Sequence, residues 1–189
     1  MSRRIIFNHE DATRFIVGTV GIPGERSFFI QAVSEAGVTT VAVEKSQVVA
    51  LAQRLAELIT EVRRSKLASL DEIGLPAVVD NANLEFPIEE EFTAGVMGIA
   101  WDPDIARVSI EIQSIADGDF TELISDDDDL ADVEDPPDLL RVTVRLNQVR
   151  GFINRAETIV LAGRAPCPFC GLPIDPNGHL CPRANGYRR

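Results

Sequence analysis

Cys167, Cys170 and Cys181 are all the cysteines in this 189-residue chain, and His179, one of its two histidines, stands among them. The run Cys167-Pro-Phe-Cys170-Gly-Leu-Pro-Ile-Asp-Pro-Asn-Gly-His179-Leu-Cys181 has the spacing C-x2-C-x8-H-x-C. Three thiolates and an imidazole are the ligand set that tetrahedral zinc prefers. Cys-x-x-Cys followed by Gly171 makes a tight turn whose backbone amides can face the sulfurs. His179 and Cys181 lie two residues apart, so on an extended segment they point the same way. Five prolines between 166 and 182 stiffen a stretch too short for a core of its own, and a metal would supply its folding free energy. Four protein ligands close the coordination shell, which makes the expected zinc structural and not catalytic.

The other chemical candidates are weaker. Gly18, Gly21 and Gly24 form G-x2-G-x2-G, but no Lys-Ser/Thr follows and no helix opens there. A phosphate loop or dinucleotide fingerprint needs both, so strand packing and a hairpin are expected. His9 lies among Asn8, Glu10 and Asp11 and reads as a surface turn. It is also the one histidine outside the cysteine cluster, so histidine-based acid–base or nucleophilic chemistry has nothing else to use. Asp126–Asp129 lacks the alternating ligands and central glycine of a calcium loop and reads as a charged, disordered loop.

The elements that must carry these residues follow from periodicity. Phe15 to Ile22, Ser27 to Val33 and Val38 to Val43 read as strands joined by a Pro23-Gly24 turn and a Glu35-Ala-Gly37 turn. Ser46 is expected to cap a helix whose apolar positions are Val48, Leu51, Ala52, Leu55, Leu58, Ile59 and Val62. Thr93 to Trp101, Ala106 to Ile115 and Leu139 to Leu146 read as three more strands. Asn147 would then cap a second helix with a stripe through Val149, Phe152, Ile153, Ala156, Ile159 and Val160, ended by Gly163. Ile5-Ile6-Phe7 adds an edge strand.

These two series resemble each other. Phe15-x2-Gly18-x2-Gly21-Ile22 is echoed by Phe92-x2-Gly95-x2-Gly98-Ile99, and Ser46-Gln47-Val48 by Asn147-Gln148-Val149. Leu51, Arg54 and Leu58 match Phe152, Arg155 and Ile159, and the offset grows from 77 to 101 residues. A duplication with an insertion in the second copy explains this. The expected fold is α+β: two antiparallel β-meander-plus-helix units forming one sheet-and-helix body, helices on one face, with a C-terminal zinc knuckle. The units are 1–65 and 92–164, linked by 66–91 and followed by the knuckle and basic tail at 165–189.

Composition narrows the function classes. Hydrophobic residues make up 45% of the chain, enough for a real core. No run of about 18 apolar residues exists and the N-terminal apolar run is too short for a signal peptide, so a soluble, cytoplasmic protein is expected. Clustered cysteines at metal spacing fit a reducing compartment. Of the net charge of -12, residues 117–138 contribute eleven acids and no base. Outside the short tail bearing Arg183, Arg188 and Arg189 no basic face is visible, which argues against nucleic acid as a partner.

Two stretches carry a family resemblance that spans nearly the whole chain. They are Arg14-Phe15-x-x-Gly18-Thr-Val-Gly21-x-Pro23-Gly24-x-Arg26-x-Phe28-Phe29-x-Gln31 and Cys-Pro-x-Cys…His-x-Cys-Pro-Arg-x-Asn-Gly. Both resemble an actinobacterial family of proteins of unknown function, the domain-of-unknown-function family 3090. The resemblance implies that Gln31 and the arginines travel with these motifs. It implies gene neighbours resembling a phosphomutase and a lipid kinase, and no reaction. The leading expectation is a non-catalytic, zinc-containing binding or adaptor protein whose partner is a protein or a phosphorylated ligand. The alternative is a sensor or enzyme for a small anionic ligand, phosphate or nucleotide, held by Arg14, Arg26 and Gln31. A third reading is nucleic-acid binding through the knuckle.

Overall fold

The computed structural model describes residues 4–22, 24–115, 122–124, 136–163, 166–172, 174, 181 and 183. The chain runs β1 (Ile6–His9), β2 (Arg14–Val20), β3 (Ser27–Ser34), β4 (Gly37–Val43), α1 (Lys45–Arg64), α2 (Leu70–Gly74), β5 (Phe92–Asp102), β6 (Arg107–Ser114), β7 (Leu139–Val144) and α3 (Leu146–Leu161). Among the described residues no helix is long and apolar enough to cross a membrane.

The seven strands form one sheet in the order β1-β7-β6-β5-β4-β3-β2. Two antiparallel meanders, β2-β3-β4 and β5-β6-β7, match the expected strands within a residue or two. The sheet as a whole is mixed and not antiparallel, because β4 pairs parallel with β5 and β1 pairs parallel with β7. Local alternation reveals strands but carries no information about which way distant strands pair.

The first and last strands in that order, β1 and β2, are consecutive in sequence. Laid flat at roughly 4.8 Å per strand, they would stand about 29 Å apart. The connection between His9 and Arg14 spans at most about 17 Å fully extended. The sheet therefore curls until its edges meet. At the corner, Ala12 N–H donates to Thr143 O of β7 at 3.0 Å, and Thr13 N–H donates to Val33 O of β3 at 2.8 Å. One stretch of chain thus ties β7 to β3 where the two terminal strands adjoin.

His9 sits at this closure, only 2% exposed, which overturns the expectation of a surface turn. Its Nδ1 lies 2.8 Å from Ser34 Oγ and its Nε2 2.8 Å from Thr39 Oγ1. Both hydroxyls come from β3 and β4, 25 and 30 residues away, so the polar sequence around His9 gave no hint of its burial.

Helices α1 and α3 lie against each other over one face of the sheet. The core they share includes Phe15, Val17, Ile30, Val41, Ile110, Ile112, Val142 and Val144 from the strands and Val48, Leu51, Leu55, Val149 and Phe152 from the helices. Phe15 and Phe152 stack with ring centroids 4.8 Å apart. The apolar stripes fall as the 3.6-residue period dictates, but the caps do not. Glu44 and Arg145 are the N-cap residues, two positions before Ser46 and Asn147. Gln47 and Gln148 explain the shift: each side-chain Oε1 accepts the N-cap N–H, at 2.8 and 2.9 Å. This is the glutamine half of a capping box, and it fixes the start of the helix from its third residue. Gly163 follows the C-cap Ala162, but it does not adopt a left-handed φ.

The other face is crossed by two segments held by buried glutamines. Gln31, fully buried, donates from Nε2 to Glu85 O at 2.9 Å and accepts Glu85 N–H at 2.8 Å. Gln113, also fully buried, accepts Ile124 N–H at 3.0 Å and reaches Glu122 O at 3.5 Å. Each amide imitates one step of a β-ladder. Close approach is allowed by glycine: a Cβ on Gly18 would fall 2.5 Å from Leu84 Cγ, and one on Gly98 would fall 2.5 Å from Leu123 Cδ2. Residues 66–91, expected only to link the units, thus supply α2 and one of these crossing segments. Most of the acidic loop 117–138, including Asp126–Asp129, lies outside the described residues.

Burial lowers the His9 pKa below its ordinary 6.5 by desolvation. The unfolded chain therefore takes up a proton near pH 6.5 while the folded one does not until lower pH. Stability should fall as pH drops through that window and be fully present above it. Thermal midpoints from pH 7.5 to 5.5 check this: His9→Gln should show a shallower decline than wild type, whereas parallel curves would contradict it.

Candidate functional site

The three cysteines converge. The sulfurs of Cys167, Cys170 and Cys181 all lie within 4.8 Å of one another, and Cys167 and Cys181 are 3.7 Å apart. A tetrahedron with metal–sulfur bonds of 2.3 Å has edges of about 3.8 Å, so that separation suits a shared cation. Cys167 and Cys181 are buried and Cys170 half-buried. The turn is built as its sequence demands. Gly171 N–H donates to Cys167 O at 2.8 Å, and Cys167 N–H donates to Leu172 O at 2.7 Å. Gly171 has φ +76, the left-handed region open to glycine, and so aims the next amide back. Leu172 N–H consequently reaches the Cys170 sulfur. Arg183 Nη1 donates to Phe169 O at 3.2 Å, tying the chain beyond Cys181 to the turn.

Without a cation Cys170 disfavours charge. Desolvation pushes the Cys170 thiol up, the Leu172 N–H opposes this, and the thiols of Cys167 and Cys181 add to the rise. A bound cation inverts that balance, because a coordinating thiol is deprotonated outright. The three cysteines can hold a metal ion. His179, the expected fourth ligand, lies outside the described residues, as do Arg188 and Arg189.

The residues expected to bind an anion meet different fates. Arg14 is bidentate to Asp80, with Nε–Oδ2 2.6 Å and Nη2–Oδ1 3.0 Å, and its Nη1 reaches Glu85 at 3.1 Å. Arg155, from α3, donates to the backbone carbonyls of Val17 and Asp80 and stands 3.6 Å from the Asp80 carboxylate. The hydrogen bonds from Arg14 hold the Asp80 carboxyl below its usual range, while burial lowers the Arg155 pKa. This cluster joins β2, residues 80–85 and α3, and its charges answer one another. Gln31 is buried under the same segment. Of the three candidates, only Arg26, half-buried between β2 and β3, has a guanidinium with no partner among the described residues. The sequence reading missed Asp80, 66 residues from Arg14, because ion pairing across that distance leaves no local pattern. Arg155 had one signal, its match to Arg54.

Fold and site together define a class: a mixed-sheet α+β body followed by a three-cysteine turn that can hold a metal ion. The chain belongs to the family described as protein of unknown function DUF3090, whose profile matches residues 7–181. No curated protein and no solved structure matches it.

Cys170→Ser should lose the metal and loosen residues 166–174, while the sheet and both long helices stay folded. Limited proteolysis with and without a chelator checks this. Cleavage near the turn should rise in the variant and in chelated wild type alike. Equal resistance in all samples would contradict it.

Proposed function

We propose that this protein is a non-catalytic binding or adaptor protein that works in the reducing cytoplasm, with a structural zinc held by Cys167, Cys170, His179 and Cys181. The observation that carries the reading is what the cysteine turn presents. Phe169, between two of the ligands, is 63% exposed, and Leu172 is 53% exposed. A metal-fixed turn that holds two large apolar side chains in solvent is pre-organised to bury them against a partner. The metal supplies rigidity, the turn supplies position, and the apolar pair supplies contact area.

The same reading takes the body as a duplicated strand–helix unit. Several matched features support this: Gln47 and Gln148 at the helix starts, Gln31 and Gln113 under the crossing segments, and Gly18 and Gly98 beneath Leu84 and Leu123. In this register Gly18 corresponds to Gly98, three residues on from the Gly95 that the F-x2-G-x2-G-I pattern selects.

The test uses protein purified from its own cells by a tag. A partner should co-purify at a fixed stoichiometry. Phe169→Ser with Leu172→Ser should lower the recovered partner at least tenfold with metal content unchanged, because neither side chain is a ligand. A protein that elutes alone and turns over a phosphorylated metabolite would overturn the reading.

A further inference from the structure

Gly151 lets residues 78–80 approach α3 closely, since a Cβ there would collide with the Val78 carbonyl, and Val78 N–H donates to Asn147 O at 2.9 Å. Beside this anchored stretch lies a cleft of 270 Å³. Val79 and Asn81 form one wall, and Asn154, Arg155 and Ile159 of α3 form the other. The helix residues stand three, four and eight positions beyond Gly151, so they continue its face of the helix.

Polar groups in this cleft lack partners. Arg155 donates from Nε to Val17 O and from Nη1 to Asp80 O, and its Nη2 has no acceptor among the described residues. The carboxamides of Asn81 and Asn154 likewise make no side-chain hydrogen bond among the described residues. The nearest carboxylate is already engaged. Asp80 accepts Arg14 on both oxygens and the Ala82 N–H on Oδ1, and it stands 3.6 Å from Arg155. The Arg155 side chain is only 15% exposed, so water answers little of its charge. Burial lowers its pKa, Asp80 opposes this, and the charge of Arg14 adds to the fall. A second anion beside the guanidinium offsets both the burial and the repulsion. Next to these donors Val79, 79% exposed, holds an apolar side chain in solvent, and Ile159 is partly buried. Apolar walls with a few convergent polar groups are the make-up of a small-molecule site.

We propose that this cleft binds a small organic anion, a carboxylate or phosphate monoester attached to a short apolar group. Its oxygens accept hydrogen bonds from Arg155 Nη2 and from the carboxamides of Asn81 and Asn154. Its apolar part covers Val79 and Ile159. A guanidinium suits this role because its nitrogens match the spacing of oxyanion oxygens and it stays charged even when buried. Arg14 keeps Asp80 from competing, because it holds that carboxylate in place. The inference goes beyond the metal-dependent docking proposed above and uses none of its residues.

The probes are isovalerate, acetate and phenyl phosphate, each titrated at constant ionic strength into the full-length, metal-loaded protein and followed by amide chemical shifts. Saturable shifts are expected at Asn81, Asn154 and Arg155 with isovalerate or phenyl phosphate, and the tighter of the two identifies the anionic group. Acetate, which lacks the apolar part, should bind at least threefold more weakly than isovalerate, and Val79→Ser should remove that preference. Asn154→Asp, which sets a carboxylate in the cleft, should weaken binding at least tenfold. Val79 and Asn154 are both exposed, so these substitutions leave the fold intact. Three results overturn the proposal: no saturable shifts at these amides at millimolar probe, as a cleft covered by another part of the chain would also give; shifts centred on Arg26 or spread over the surface arginines; or binding undiminished in Asn154→Asp. A stoichiometric partner captured through Phe169 and Leu172 would survive any of these, so the two readings fail separately.

Discussion

A short connection from one edge of a seven-stranded sheet to the other governs this molecule. Because β1 and β2 are separated only by residues 10–13, the sheet cannot lie open. Everything near the closure answers to it. His9 is buried between Ser34 and Thr39 because closure brings β1 against the β3–β4 hairpin. Gln148 reaches Ala12 O because the corner lies beneath the start of α3. Arg14, at the first position after the corner, is aimed at Asp80.

The second organising device is the glutamine side-chain amide, buried at Gln31 and Gln113 and half-buried at Gln47 and Gln148. Gln31, Gln113, Gln47 and Gln148 each use both ends of the side chain, one as donor and one as acceptor, to join a segment that would otherwise lack backbone partners. A carboxylate could accept but not donate, and an aliphatic side chain could do neither, so glutamine is the residue that satisfies both sides of each join. Arg155 adds a charged version, donating to two carbonyls at once.

Much of this was legible in the sequence and some could not be. Period-2 and period-3.6 patterns place six strands and two helices within a residue or two, because local alternation reflects one buried face. The cysteine spacing finds the tight turn that brings the cysteines together, because C-x2-C followed by glycine is a local geometry. The caps were misplaced because Ser46 and Asn147 are good cap residues in general, yet glutamines one residue later fix the starts at Glu44 and Arg145. Parallel pairing of β4 with β5, the burial of His9 and the Arg14–Asp80 pair all depend on residues 25 or more positions apart. Nothing in a local window encodes such contacts.

The proposed function requires a closed metal shell, which would make the C-terminal turn a rigid, non-catalytic docking element. X-ray absorption at the zinc edge on protein purified from its own cells addresses this directly. It should report three sulfurs at about 2.3 Å and one nitrogen at about 2.0–2.1 Å, with no further oxygen. A shell with a solvent oxygen, or with only two sulfurs, would leave an open coordination position and contradict the structural, non-catalytic role. Protein with no zinc edge at all would contradict the metal itself.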